Sequence, residues 1–306
     1  MHEYYKSPAY LILYICLCLP IITAAQEVNQ QDESNQILVD VVWLTRHKDD
    51  MNVVIVDARS KSEYTEGHIE GAINIPVSLT FNPQLNTDRV ANIKHITALF
   101  RQVGIRNDHS IVIYDGNSYI DAGRVFWVFE VYGHKKVMLL NGGIDGWVTN
   151  SKQQLSQIDT HLESSNYIPS IEPQRLVTKL SMHLAIEDEA NVIIDTRSKK
   201  EYLGIQSIAS RAGHIPKAVN IPWNENFEEL NGVRMLKPLS DLKKMYSEFD
   251  GDKRIFLYCN KGKQSSLSYT IMRQLGFNAA HYDGSWYEWG NDVALPIEVK
   301  NKDMFK

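Results

Sequence analysis

The chain is written twice. The triplet Asp57-Ala58-Arg59 returns as Asp195-Thr196-Arg197, an offset of 195 − 57 = 138, and Gly67-His68-Ile69 returns as Gly213-His214-Ile215, an offset of 214 − 68 = 146. The apolar run from Ile111 to Tyr114 returns from Ile255 to Tyr258, an offset of 255 − 111 = 144. Solenoid repeats recur every ~20 to 50 residues, so periods this long mean two copies of a whole domain. Whatever one half folds into, the other must fold into as well, and 306 residues give room for two cores.

Within each copy, strand and helix signals alternate. In the first, Val53 to Val56 is a β-branched run ending at Asp57, Asp88 to Val103 has helical spacing with a stop at Gly104, and Ile111 to Tyr114 is a second buried strand. Gly123 to Val131 reads as helix, and Val137 to Leu140 as a third strand before Asn141-Gly142-Gly143 turns the chain. This alternation predicts an α/β protein of two tandem domains, each a mainly parallel sheet covered by helices. The expected domains are 37–149 and 174–300, joined over 150–173 by a polar linker rich in Ser and Gln.

The first 25 residues stand apart. Lys6 precedes an apolar run from Ala9 to Ile22, and Thr23, Ala24 and Ala25 supply small residues before the polar Gln26. That is the layout of a secretory signal peptide cut after Ala25, which predicts export to a periplasm or the exterior, although Glu3 is foreign to such a leader. The run falls short of the ~20 apolar residues of a spanning helix, and membrane attachment is expected only if the segment stays uncleaved.

Cysteine usage then becomes informative. Cys16 and Cys18 lie in the leader, which leaves Cys259 as the single thiol of the mature chain. It has no partner for an intramolecular disulfide, a CxxC redox pair or a Cys-based zinc site. The histidines lack ligand spacing and no nucleotide loop is present, so neither metal nor cofactor is expected. A net charge of −5 argues against nucleic acid as a partner.

Cys259 ends an apolar run, RIFLYC from Arg254, and is followed by the polar loop Asn260-Lys261-Gly262-Lys263-Gln264 and a helix-like stretch from Ser265 to Leu275. Helix-terminal N–H groups, the helix dipole and the two lysines would favour a thiolate there, and Gly262 would let loop amides converge on the sulfur. The competing readings are a buried structural cysteine and two solvent-exposed lysines. The reactive reading requires a sulfhydryl that a donor can reach, and a side chain buried away from solvent would overturn it.

The duplication separates scaffold from chemistry. Asp115 stands where Cys259 stands, since 259 − 115 = 144, so only one half carries a thiol. Features common to both halves are best explained by folding: the Asp195-Arg197 pair, His214, the Pro76 and Pro222 that end Ile-Pro runs, and Trp147 and Trp286 after their turns. For His214 a general-base role is the competing reading. The second half also carries an insertion between Lys200 and Arg211, so Arg211 either faces the cysteine loop or is an ordinary solvated arginine.

Four stretches carry a resemblance: DARSKSEYTEGHIEGAINIP from Asp57, LNGGIDGW from Leu140, GHIPKAVNIP from Gly213 and YDGSWYEW from Tyr282. On them the chain, over residues 37–298, resembles the two-domain rhodanese family of thiosulfate and 3-mercaptopyruvate sulfurtransferases. The resemblance implies that Cys259 is the persulfide-carrying nucleophile, and that Asn260, Lys261, Gly262, Lys263 and Gln264, with Arg211, bind a small anionic sulfur donor. The thiolate attacks the outer sulfur of a donor such as thiosulfate, sulfite leaves, and cyanide or a thiol then takes the sulfur, a ping-pong sequence.

Departures from the family pattern leave the donor open. Thiosulfate-preferring members have Arg directly after the cysteine and Thr at the end of the loop, where this chain has Asn260 and Gln264; mercaptopyruvate-preferring members have small residues after the cysteine. Glu201 stands where a donor-binding Arg is common, and an acid there repels an anionic donor unless it faces away. Thiosulfate leads because the loop is cationic, with mercaptopyruvate, or sulfur delivered only by a protein partner, as the alternatives. A cysteine phosphatase would need an Arg six places after the cysteine, and Ser265 is there.

Overall fold

The structure, a computed structural model, describes residues 1–2 and 36–299 apart from 86, 117 and 250. Except for Met1 and His2, the leader lies outside the described residues, and no described helix is long and apolar enough to cross a membrane.

The first half runs β1 (Leu38–Val39), α1 (Val41–His47), β2 (Val53–Asp57), α2 (Lys61–Glu66), β3 (Ile73–Asn74), α3 (Ile93–Gln102), β4 (Ser110–Tyr114), α4 (Ile120–Val131), β5 (Val137–Leu140) and α5 (Gly143–Ser151). The second repeats this order as β6 (Leu176–Val177), α6 (Lys179–Ala185), β7 (Asn191–Asp195), α7 (Lys199–Tyr202) and β8 (Val219–Asn220), then a hairpin of β9 (Phe227–Leu230) and β10 (Val233–Leu236). It closes with α8 (Leu239–Met245), β11 (Arg254–Tyr258), α9 (Gln264–Gln274), β12 (Asn278–Tyr282) and α10 (Ser285–Trp289).

Each half makes one five-stranded sheet, in the order β1-β5-β4-β2-β3 and, position for position, β6-β12-β11-β7-β8. Every pairing inside both sheets is parallel, as strands joined through helices require. The central strands β4 and β11 are buried along nearly their whole length, which is why they read as unbroken apolar runs rather than as alternations.

Local sequence sets the helix starts. Ser60 and Glu63 close a capping box on α2, and Ser198 and Glu201 close the same box on α7. The helix expected from Asp88 begins instead at Ile93, because the Asn92 side chain accepts from the His95 amide and caps it there. Residues before Asn92 belong to an arm: Phe81 and Val90 form an antiparallel bridge. This arm is the counterpart of the β9–β10 hairpin, in which Phe227 pairs with Leu236, because 227 − 81 and 236 − 90 both equal 146.

The linker stretch is laid along the first domain. Ser165 donates to Arg101 and Ser170 to Tyr132 through the backbone, and Tyr167 is fully buried. One apolar core runs through both halves, joining Ile111, Phe126 and Val128 to Ile255, Leu267 and Tyr269. Its centre is the packing of α4 on α9, where Gly123 lies so close to Leu267 that a Cβ on it would come within 2.8 Å of the Leu267 Cα.

Candidate active site

The residues that occur in both halves make the same bonds in both. Arg59 reaches the Asp57 carboxylate at 2.6 to 3.1 Å and the Gly67 carbonyl at 2.7 Å; Arg197 reaches Asp195 at 2.6 to 3.1 Å and the Gly213 carbonyl at 2.8 Å. The hydroxyls of Tyr114 and Tyr258 donate at 2.7 Å to Asp57 and Asp195 respectively. His68 and His214 each place Nδ1 2.8 Å from a tyrosine carbonyl, of Tyr64 and Tyr202, and stack on that tyrosine ring. The far nitrogen of His214 faces Glu298 at 3.4 Å. These groups tie loops to strands, which is scaffold work. Trp147 and Trp286 are fully buried in their cores, and Pro76 and Pro222 open matching 3₁₀ turns.

Cys259 leaves β11 directly beneath the loop and α9. The Gly262 amide donates to its Sγ at 3.2 Å, while the Cys259 amide donates to Ser285 Oγ at 3.2 Å and its carbonyl accepts from Trp286 at 2.9 Å. The first amides of α9, which follows the loop, lack intrahelical acceptors, as the first turn of any α-helix does. Gly262 has φ +86°, a left-handed conformation that suits glycine and turns its N–H inward.

The expectation of an accessible sulfhydryl is not met: Cys259 is 1% exposed. The reason is the loop itself, which folds over the strand end, with buried Gly262, Ser265 and Ser266 closing above the sulfur. Two further residues of the expected site have partners of their own. The Arg211 guanidinium donates to the carbonyls of Trp289, Gly290, Asp292 and Leu295 and so ties down the segment after α10. Lys263 is drawn into an ion pair with Asp121 of α4 at 2.8 Å, which leaves Lys261 as the exposed cation of the loop, with Nζ 5.3 Å from the Tyr287 ring centre.

Glu201 does not face away. Its Oε1 accepts from Asn260 Nδ2 at 2.6 Å while Oε2 caps α7 at Ser198. Burial opposes its ionisation, yet the bonds from Ser198 and Asn260 hold the carboxyl below its ordinary range, so it is an anion one residue from the cysteine. Gln264 opens α9.

Several residues of the site were not singled out in the sequence. Arg124 of α4, fully buried, donates to the Gly262 carbonyl at 3.2 Å and to the Asp88 carbonyl at 2.8 Å. It also pairs with Asp283 at 2.7 Å, a contact of charges that is not aligned as a hydrogen bond. Burial raises the cost of ionising Asp283, and Arg124, His281 and the Val90 amide together more than offset it, so the carboxyl is held below its usual range. His281 Nε2 lies 2.9 Å from Ser265 Oγ, and burial pushes that imidazole down to about 3. A cavity of about 880 Å³ opens beside the loop between the first-half arm (Leu85, Asp88, Arg89) and Lys261, Tyr287 and Val293.

In the first half the same loop holds a carboxylate. Asp115 accepts from the amides of Tyr119 at 3.0 Å, Asp121 at 3.1 Å and Ala122 at 3.3 Å, and from Ser118 Oγ at 3.2 Å. Burial lifts its carboxyl to about 6. The β9–β10 hairpin lies over this loop, with the Leu236 amide donating to Asn141 and the Tyr119 hydroxyl to the Arg234 carbonyl.

The family model described as the rhodanese-like domain matches residues 27–150 and again residues 179–292. The chain is 29% identical to the thiosulfate sulfurtransferase of Corynebacterium glutamicum over 277 residues, covering 86% of this chain and 90% of that one. It is 31% identical to the sulfur carrier protein TtuD of Thermus thermophilus, covering 86% of this chain and 96% of the relative. Among solved structures it superposes on SseA from Escherichia coli, described as a 3-mercaptopyruvate sulfotransferase of rhodanese fold, with a TM-score of 0.72 and 26% identity over 82% of this chain and 99% of that one.

Proposed function

The chain belongs to the rhodanese family of sulfurtransferases, and on that premise we propose that Cys259 carries the transferred sulfur, taken from thiosulfate or a like sulfane donor and passed to cyanide or a thiol. The observation that carries this reading is the pair of matched loops. In the first half the loop holds the anionic side chain of Asp115 on three amides and a hydroxyl; in the second it places the Gly262 amide on Sγ. A loop of this shape receives negative charge, and a thiolate or a persulfide supplies it.

Thiolate attack on the outer sulfur of thiosulfate forms the S–S bond and releases sulfite; attack by cyanide or a thiol on the terminal sulfur restores the thiolate. Lys261 is the cation placed to meet the donor's oxygens, while the Glu201 carboxylate limits how much negative charge the loop tolerates.

A second reading, a relay that takes sulfur only from a protein partner, is supported by the similarity to a sulfur carrier protein and by Asn260 and Gln264 in the loop. Likeness to SseA supports mercaptopyruvate as a donor. Initial rates with cyanide and either thiosulfate or 3-mercaptopyruvate separate these readings. Faster turnover of thiosulfate, with parallel double-reciprocal plots, is expected; a preference for mercaptopyruvate, or negligible turnover of both, overturns the thiosulfate reading. Export is supported by the run from Ala9 to Ile22 and by the small residues up to Ala25, and predicts a mature chain that starts at Gln26.

A further inference from the structure

We infer that the half without a cysteine serves the reactive half directly: Arg124 is a positioning residue for the Cys259 loop, fixing the glycine whose amide meets the sulfur. The inference rests on the proposed role of Cys259. Arg124 sits on α4 of the first half and is fully buried, yet the carbonyl it holds, that of Gly262, belongs to the second half. Gly262 gives its N–H to Sγ and its carbonyl to Arg124, so one residue links the sulfur to the guanidinium. A third bond runs to Asp88 in the first-half arm, and the guanidinium lies 4.5 Å over the Trp127 ring.

Three observations set this apart from ordinary interface packing. A buried ion pair contributes little net stability, and well-packed apolar groups serve an interface at least as well, so packing alone gives no reason for a cation here. The fold does not require it either, because the counterpart of Arg124 in the second half is Ser268 (268 − 124 = 144) and the topology there is the same. Finally, the loop is walled on this side. A Cβ on Gly262 would come within 2.8 Å of the Asp283 carbonyl and 3.3 Å of Arg124 Nη1, so Arg124, Asp283 and Gly262 confine one another. Without the guanidinium, the Gly262 backbone loses one of its partners, and the amide is held less firmly toward the sulfur. The other charges around the loop are Lys261, the Lys263–Asp121 pair and Glu201, with neutral His281 behind Ser265. Of these, His281 also bonds to the Gly262 backbone, so Arg124 shares the hold on that residue with it.

The test uses the full chain with Arg124→Gln, Arg124→Lys and Asp283→Asn. It reads single-turnover sulfur loading from thiosulfate by intact mass, alkylation of Cys259 by iodoacetamide, and thermal unfolding. Arg124→Gln is expected to lower the maximal loading rate at least ~10-fold, since misplacement by about 1 Å costs up to ~100-fold, and to leave the half-saturating thiosulfate within ~3-fold. Arg124→Lys should recover part of the rate. A folded Gln variant that loads like the parent, or one whose defect lies only in half-saturation, overturns the assignment. Should neither Arg124 variant unfold cooperatively, Asp283→Asn decides from the other side of the clamp, and unchanged loading overturns it. If the parent itself takes up no sulfur, it is the reading of Cys259 that fails. Alkylation, which needs no donor, then reports on the clamp alone: a rate changed at least ~10-fold in the variants supports it, and an unchanged rate overturns it.

Discussion

At the scale of single residues, burial is what separates the side chains that hold the site from those that could meet a donor. Lys261 is exposed, whereas Arg124, His281 and Asp283 are hidden and act through one another. His281 gives a pH signature. Its folded value of about 3 lies below the ordinary imidazole value, so the unfolded chain binds the extra proton between those limits, and stability present above that ordinary value is lost as pH falls through the window. His134, pushed down to about 4 by burial, adds to the loss, and Asp115, lifted to about 6, works in the opposite sense over its own window. Urea unfolding should show the parent losing roughly 2 kcal/mol more than His281→Gln between pH 7 and pH 5; equal losses contradict the account. Cys259 and Lys261 were singled out in the sequence because a thiol and an ammonium are residue types able to carry the proposed chemistry. Arg124 was not, because comparing the halves assumes that each half builds its own site, and here an arginine of one half holds the loop of the other.

At the scale of elements, the order of strands and helices was readable from apolar runs and caps, and so was the duplication. The arms were not. Phe81 to Val90 and the β9–β10 hairpin have no strong strand pattern, and in structure each reaches across to the opposite half: the first lines the cavity beside the cysteine loop, and the second covers the Asp115 loop. Helical spacing through Asp88 misled because a polar arm followed by an Asn cap imitates the first turn of a helix. The loop's glycine carries the sharpest prediction at this scale. Gly262→Ala adds a Cβ at φ +86° and 2.8 Å from the Asp283 carbonyl, which should cost about 1–3 kcal/mol in unfolding free energy and slow sulfur loading at least ~10-fold. A variant as stable and as fast as the parent would show that the loop has no fixed path.

At the scale of the molecule, the described residues between 36 and 299 form one compact unit because α4 and α9 meet in a shared core. Calorimetry should therefore show a single unfolding transition. Gly123→Leu, which drives a side chain into the Leu267 backbone, should lower its midpoint by a cost of about 1–3 kcal/mol. Two separate transitions in the parent would contradict the shared core. The duplication predicted two domains but not this fusion, since the contact between the halves depends on the absence of a side chain at one position, which composition and periodicity do not register. The central claim is that a single buried thiol in this joined structure carries sulfur. Its most direct test is the intact mass of the parent and of Cys259→Ser after incubation with thiosulfate. One added sulfur atom in the parent and none in the variant is the predicted result; no gain in the parent, or the same gain in both, contradicts it.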